Sequence, residues 1–218
     1  MFSEIAPTYD LLNDVICARL HYRWREMAVN GLRLKPGARV LDVCSGTGEF
    51  VRSIRKLLGA NATVVGVDFA LPMLEHAEEK PEAQAHYVLG DALKLPVAEG
   101  QFDGVTVGWG IRNVADIDAA HAELFRVLKR GGRFASIDMA VPESKLIRAA
   151  SNTLFRIFVP LAGRLLGKGR AYSYLHRSVG EFWDRNQLTR SMERAGFGEV
   201  AHWNLLMGNV CIFEGVKP

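Results

Sequence analysis

The sequence predicts an α/β fold: a doubly wound, mostly parallel sheet of seven strands that ends in an antiparallel hairpin. Three observations carry that prediction. Over residues 38–140, apolar runs of strand length alternate with stretches of helical period, as a parallel sheet covered by helices requires. Three acids, Asp42, Asp68 and Asp91, fall at or near the ends of the first three runs, and in such sheets those ends form the edge where ligands sit. The last two runs meet at a turn on Gly208 and Asn209, so they read as a hairpin.

Taken in order, residues 9–30 read as a helix with mixed faces, and Asn30 and Gly31 then punctuate the chain. "ARVLDV", 38–43, is a buried strand. From 48 to 58 the period lengthens to helical, with Phe50, Val51, Ile54, Leu57 and Leu58 in phase and Gly59 as the stop. "TVVGVD", 63–68, is a second strand. Residues 71–80 form a helix with Pro72 in the first turn, where a missing N–H is harmless. Strands follow at 85–91 and 101–110. Residues 116–129 form an amphipathic helix, acidic at its start and basic at its end, as the helix dipole favours. Gly131 and Gly132 turn the chain into a fifth strand, 133–140. After Pro142 the rhythm breaks into an apolar stretch fringed by Lys145, Arg148, Arg156, Arg164, Lys168 and Arg170, read as a helical insertion over the sheet edge. A helix at 184–195 and strands at 199–207 and 209–216 finish a Rossmann-like sheet.

The 218 residues, 49% hydrophobic, suit one domain. It divides into an N-terminal helical lid (1–36), a cofactor-binding core (37–141), a substrate-covering insertion (142–182) and a C-terminal helix and hairpin (183–218). A net charge of +3 without a dense basic stripe excludes a nucleic-acid partner. The three cysteines and six histidines show neither disulfide nor metal-ligand spacing, so reduced thiols and no metal are expected. The N-terminus lacks a signal-peptide layout and no apolar run is long enough to span a bilayer. A cytoplasmic protein is expected, and the insertion, an apolar helix with a basic fringe, suits peripheral contact with the membrane. Monomer and homodimer both stay open.

The turn in "VLDVCSGTGEF" joins the first strand to the first core helix. It offers backbone N–H groups at a helix start. A dinucleotide pyrophosphate would ask for Gly-x-Gly-x-x-Gly. Gly46 and Gly48 supply two of those glycines, but Val51 takes the third place. S-adenosylmethionine carries no phosphate; its carboxylate uses N–H groups and its ammonium an acid, which Asp42 supplies. Asp68, 20 residues beyond Gly48, suits two ribose hydroxyls, and Asp91 with Ala92 the adenine amino group.

At this point the chain resembles the class I S-adenosylmethionine-dependent methyltransferases, and within them the quinone-biosynthesis C-methyltransferases. The carrying stretches are "MFSEIAPTYDLLND", "HYRW", "GVDFALPML", "GDALKLPV", "FDGVTVGWGIRNV", "RVLKRGGR" and "AYSYL", over nearly the whole chain. The resemblance implies S-adenosyl-L-methionine as cofactor and S-adenosylhomocysteine as product. It implies Gly46, Thr47 and Gly48 facing the methionyl part, Asp68 with the adjoining Phe69 at the ribose, Asp91 and Ala92 at the adenine, and Gly108 and Trp109 beside the sulfonium. Relatives often carry serine at the Gly108 position. The implied reaction methylates a ring carbon of a polyprenylated quinol, most directly demethylmenaquinol, with the ubiquinone-pathway benzoquinol as a further substrate.

Ring-carbon attack needs a phenol that loses its proton, and so a base or a cation that steadies the phenolate. Arg112 cannot be a base and is assigned to the phenolate, beside Asn113. His21 is the direct base by intrinsic pKa, or else a packing histidine beside Trp24. Tyr172 and Tyr174 match the family's Tyr-x-Tyr-Leu element and face the quinol oxygens or simply pack. His176 with Arg177, and Phe213, depart from the family's pattern on the substrate side. They keep open a second reading, a methyltransferase for another lipophilic phenol. Two further classes compete: a nucleotide-binding oxidoreductase, which the missing third glycine disfavours, and a non-catalytic scaffold, which the intact acids and Arg112 disfavour.

Overall fold

The computed structural model describes residues 10, 11, 13, 14, 17–151, 153 and 184–218. Its sheet is built from β1 (Arg39–Val43), β2 (Thr63–Asp68), β3 (His86–Leu89), β4 (Phe102–Gly108), β5 (Leu128–Met139), β6 (Gly198–Leu205) and β7 (Val210–Val216). The strand order is β3-β2-β1-β4-β5-β7-β6. The first five strands run parallel, and β7 enters antiparallel to both β5 and β6. The order reverses at β1, which has β2 on one side and β4 on the other, and a crevice opens at that switch point.

Among the described residues, the sheet is covered by α1 (Leu20–Gly31), α2 (Glu49–Leu58), α3 (Leu71–Glu78), α4 (Ile117–Val127) and α5 (Arg185–Ala195). Because β1 and β4 are covered on both faces, they are buried along most of their length rather than at alternate positions. Trp24 and Val29 of α1 and Phe50, Val51 and Ile54 of α2 close one core. Leu124 of α4 and Leu188 and Met192 of α5 close the other, around Phe102, Phe134 and Phe213. Each of those phenylalanines is at most 1% exposed, and burying such a ring contributes about 1.5–3 kcal/mol. Asp184 caps α5 by accepting from the Gln187 N–H at 2.9 Å, and the Gln187 side chain returns a bond to the Asp184 N–H.

Three element boundaries differ from the sequence reading. The helix expected over 9–30 is broken at Cys17, Ala18 and Arg19, where Ala18 and Arg19 take φ of 45° and 61°; α1 begins only at Leu20. The helix expected to reach Lys129 stops at Val127, because Leu128 already pairs with Phe102 of β4, and Gly131 and Gly132 lie in a bulge before Arg133 pairs with Gly104. The hairpin does not turn on Gly208 and Asn209 alone. Leu205 pairs with Val210, and the loop between them is a 3-10 turn, Leu206–Gly208, followed by Asn209. Among the described residues no helix is long and apolar enough to cross a membrane.

Candidate active site

The site starts from Asp68, the last residue of β2. Its Oδ2 accepts from the Gly46 N–H at 2.8 Å and its Oδ1 from the Ala70 N–H at 2.9 Å. One carboxylate thus ties the glycine turn after β1 to the start of α3. Each oxygen keeps a further lone pair, so the group still has acceptor capacity for a pair of hydroxyls. Burial raises its pKa, and the backbone donors at Ala70 and Gly46 pull it back down. The turn is tightly wound: Cys44 and Gly46 have φ of 55° and 54°. A Cβ on Gly110 would lie 2.4 Å from the Cys44 Cβ, so only glycine lets the loop after β4 pass this turn.

Around Asp68 lies a cavity of about 280 Å³ at the C-terminal edge of the parallel strands. Gly46, Asp68, Phe69, Asp91, Ala92, Gly108 and Asn113 all line it, so six of the residues expected at the cofactor, and Asn113 with them, meet at one place. Val67, Met73, Leu93, Trp109 and Val114 make the remaining walls largely apolar, as small-molecule sites require. Asp91 accepts the Leu93 N–H at 2.9 Å, which fixes the rim. A Cβ on Gly108 would stand 2.8 Å from the Phe50 ring; the glycine at this position goes together with that close approach. A carboxylate at one end, a backbone floor without side chains and apolar flanks fit a ribose, an amino-acid chain and an adenine ring respectively.

The other singled-out residues stand behind the walls. Asp42 is 1% exposed and accepts from the Thr106 hydroxyl at 2.7 Å. Burial pushes its carboxyl up to about 7, although the Thr106 hydroxyl and the Arg25 charge favour the ionised form. Thr47 donates its hydroxyl to Asp10 Oδ1 at 2.6 Å rather than facing the cavity. Lys80 closes that contact: its ammonium donates to Asp10 Oδ2 at 2.5 Å, the Thr47 carbonyl at 2.9 Å and Glu49 Oε1 at 3.0 Å. Gly48 lies under the turn, where a Cβ would come within 2.5 Å of the Tyr87 hydroxyl.

His21 is 1% exposed and off the cavity wall. Its Nε2 lies 2.8 Å from Asp14 Oδ1 and its Nδ1 2.5 Å from Arg25 Nη1. Both ring nitrogens are engaged, which leaves no lone pair aimed at a substrate. Arg112 follows β4 and turns toward β5, where its guanidinium bonds Asp138 Oδ1 at 2.5 Å and its N–H bonds Oδ2 at 3.3 Å. Asn113 donates to the Trp109 carbonyl at 3.0 Å. Tyr172, Tyr174, His176 and Arg177 lie outside the described residues.

Sequence reasoning missed Asp138, Lys80 and Arg25. Asp138 falls near the end of an expected strand, as Asp42 and Asp68 fall near or at theirs, and that repeated strand-end acid was a readable signal. Lys80 and Arg25 gave none, since each acts through contacts that only the folded chain creates.

Comparison with known proteins matches residues 1–217 to the model of the ubiE/COQ5 methyltransferase family. The chain is 36% identical to a demethylmenaquinone methyltransferase of Desulfitobacterium hafniense, over all of this chain and 88% of that one. It is 38% identical to a 2-phytyl-1,4-naphtoquinone methyltransferase of Thermosynechococcus vestitus, over all of this chain and 97% of that one. Among solved structures it resembles phosphoethanolamine N-methyltransferase 2 of Haemonchus contortus in complex with S-adenosyl-L-methionine. The TM-score is 0.67 at 18% identity, over 90% of this chain and 52% of that one, a likeness of fold.

Proposed function

The chain belongs to the ubiE/COQ5 methyltransferase family, and from that premise we propose that it methylates a ring carbon of a polyprenylated quinol with S-adenosyl-L-methionine, converting demethylmenaquinol to menaquinol. The observation that carries the proposal is the single cavity where Gly46, Asp68, Asp91, Ala92 and Gly108 meet at the switch point of the sheet. When bound, the cofactor supplies a methyl group already activated on a sulfonium. The chain's own task is then alignment and exclusion of water.

Asp68 would hold the ribose, Ala92 and the Asp91 rim the adenine, and the glycine turn the methionyl end. Val67, Met73 and Leu93 keep water from that side of the cavity. On the substrate side a phenol must lose its proton before its neighbouring ring carbon becomes nucleophilic. Arg112 would steady the oxygen as charge develops there, its guanidinium turning to the substrate from Asp138, its partner behind the cavity wall. The prenyl tail and the apolar, basic insertion at 142–182 suit delivery from an anionic membrane surface, to which the protein binds peripherally. The benzoquinol of the ubiquinone route is a second substrate of the same ring chemistry.

Thermal unfolding tests the cofactor half of the proposal. S-adenosylmethionine and S-adenosylhomocysteine are expected to raise Tm, and NADH is not. A ligand at 100 times its Kd adds about 2.7 kcal/mol. Asp68→Ala is expected to remove that stabilisation and to cost about 1–3 kcal/mol in the free protein by leaving two N–H groups without their acceptor. A folded wild type unaffected by either sulfur ligand would refute the reading.

A further inference from the structure

One polar chain runs through the core between the N-terminal segment and the cavity wall. Asp14 accepts from His21 Nε2, so the lone pair of the neutral ring sits on Nδ1, and Nδ1 accepts from Arg25. Arg25 is 5% exposed, and its guanidinium faces two rings. It lies 4.7 Å from the centre of the Trp109 ring and 5.8 Å from that of Phe50. Trp109 lines the cavity, and its backbone is held in the left-handed region, φ 53°, by an N–H bond to the Ile137 carbonyl at 2.8 Å and by Asn113 on its own carbonyl. A buried arginine is costly where an apolar side chain of similar size would pack. A strained aromatic residue on a ligand cavity is where such a cost is commonly tied to function.

We propose that Arg25 is a positioning residue for the cavity: neutral His21, oriented by Asp14, holds the Arg25 guanidinium against the Trp109 ring, and this brace sets how tightly the cavity grips its ligand. The inference rests on the reading of the cavity as the S-adenosylmethionine site.

The brace depends on the protonation state of His21. A proton on Nδ1 would face the Arg25 N–H, two donors would meet, and two cations would stand side by side. Burial and the Arg25 charge keep the ring neutral below the usual histidine value, while Asp14 and Glu49 oppose them. Tyr22 packs at a tilt against the ring with centroids 4.0 Å apart, Arg19 lies on Asp14 at 3.3 Å, and the Cys17 thiol and the Asp42 carboxyl also feel Arg25. Ligand affinity is therefore expected to be full where His21 is neutral and to fall as pH drops below the usual histidine range.

The test is the Kd of S-adenosylhomocysteine by calorimetry between about pH 5 and 8, on wild type, Arg25→Met and His21→Asn, with circular dichroism as the folding check. Asparagine keeps an acceptor near the Nδ1 position and does not titrate. Wild type is expected to weaken toward low pH, and His21→Asn to bind with little pH dependence. Arg25→Met is expected to bind about tenfold more weakly at pH 8, the size of a desolvated cation–π contact. Wild-type affinity in Arg25→Met, or the full wild-type pH profile in His21→Asn, would overturn the brace; the latter would assign the profile to Asp42. If Arg25→Met does not fold, the His21→Asn profile decides. Absence of binding by wild type at every pH would instead reject the cofactor reading.

Discussion

Asp42 and Asp68 are both carboxylates at the ends of parallel strands, and the fold gives them opposite surroundings. Asp68 receives two backbone N–H groups and opens on the cavity; Asp42 is sealed in the sheet with the Thr106 hydroxyl. The consequence for Asp42 is a pH dependence of stability. Its folded pKa of about 7 lies above the ordinary 3.8, so the folded state holds the proton more tightly. Its contribution to stability falls as pH rises through that window and stays low above it. Asp42→Asn, neutral throughout, is expected to gain Tm over wild type between pH 5 and pH 8; an unchanged difference would contradict this. Asp68 and Gly46 were legible in the sequence because a strand end, a glycine turn and their separation are local features. The occluded position of Asp42 was not, since a sealed and an open strand-end acid have the same local pattern. His21 shows the same limit: its intrinsic pKa suggests a base, and only the packed core reveals that both ring nitrogens are engaged.

At the scale of elements, the turn from β1 into α2 is where sequence and function meet. α2 has no side-chain cap; Gly48 enters it at φ 79° with Tyr87 and Ala83 pressed beneath. Gly48→Ala would add both left-handed strain and a clash and is expected to cost at least about 2 kcal/mol in urea unfolding. A near-neutral effect would show that the turn relaxes. The helices whose apolar period was unbroken, α2 and α4, were readable nearly to their ends. The stretch before α1 was not: its apolar positions read on as one helix, whereas the folded chain breaks at Ala18 and Arg19 and ties Asp10 to Thr47 and Lys80. The bulge in β5 escaped for a related reason, because pairing between Leu128 and Phe102 outweighs the helical period that runs on to Lys129.

Over the whole molecule, the parallel core followed from alternation alone, and the antiparallel end from the closeness of the last two strands. The crevice at β1 then follows from the strand order rather than from any one motif. The sequence at 142–182 adds a molecular-scale expectation: its lysines and arginines should bring the protein to anionic liposomes at low salt, with release as ionic strength rises. Failure to co-sediment at low salt would remove the membrane from the account. Carbon methylation of a reduced ring is read out with S-adenosylmethionine carrying a deuterated methyl group, incubated with demethylmenaquinol and separately with its oxidised quinone. A deuterated methyl is expected on the ring carbon of the quinol and none on the quinone. Transfer to oxygen, or no transfer to the quinol by protein that binds S-adenosylhomocysteine, would contradict it.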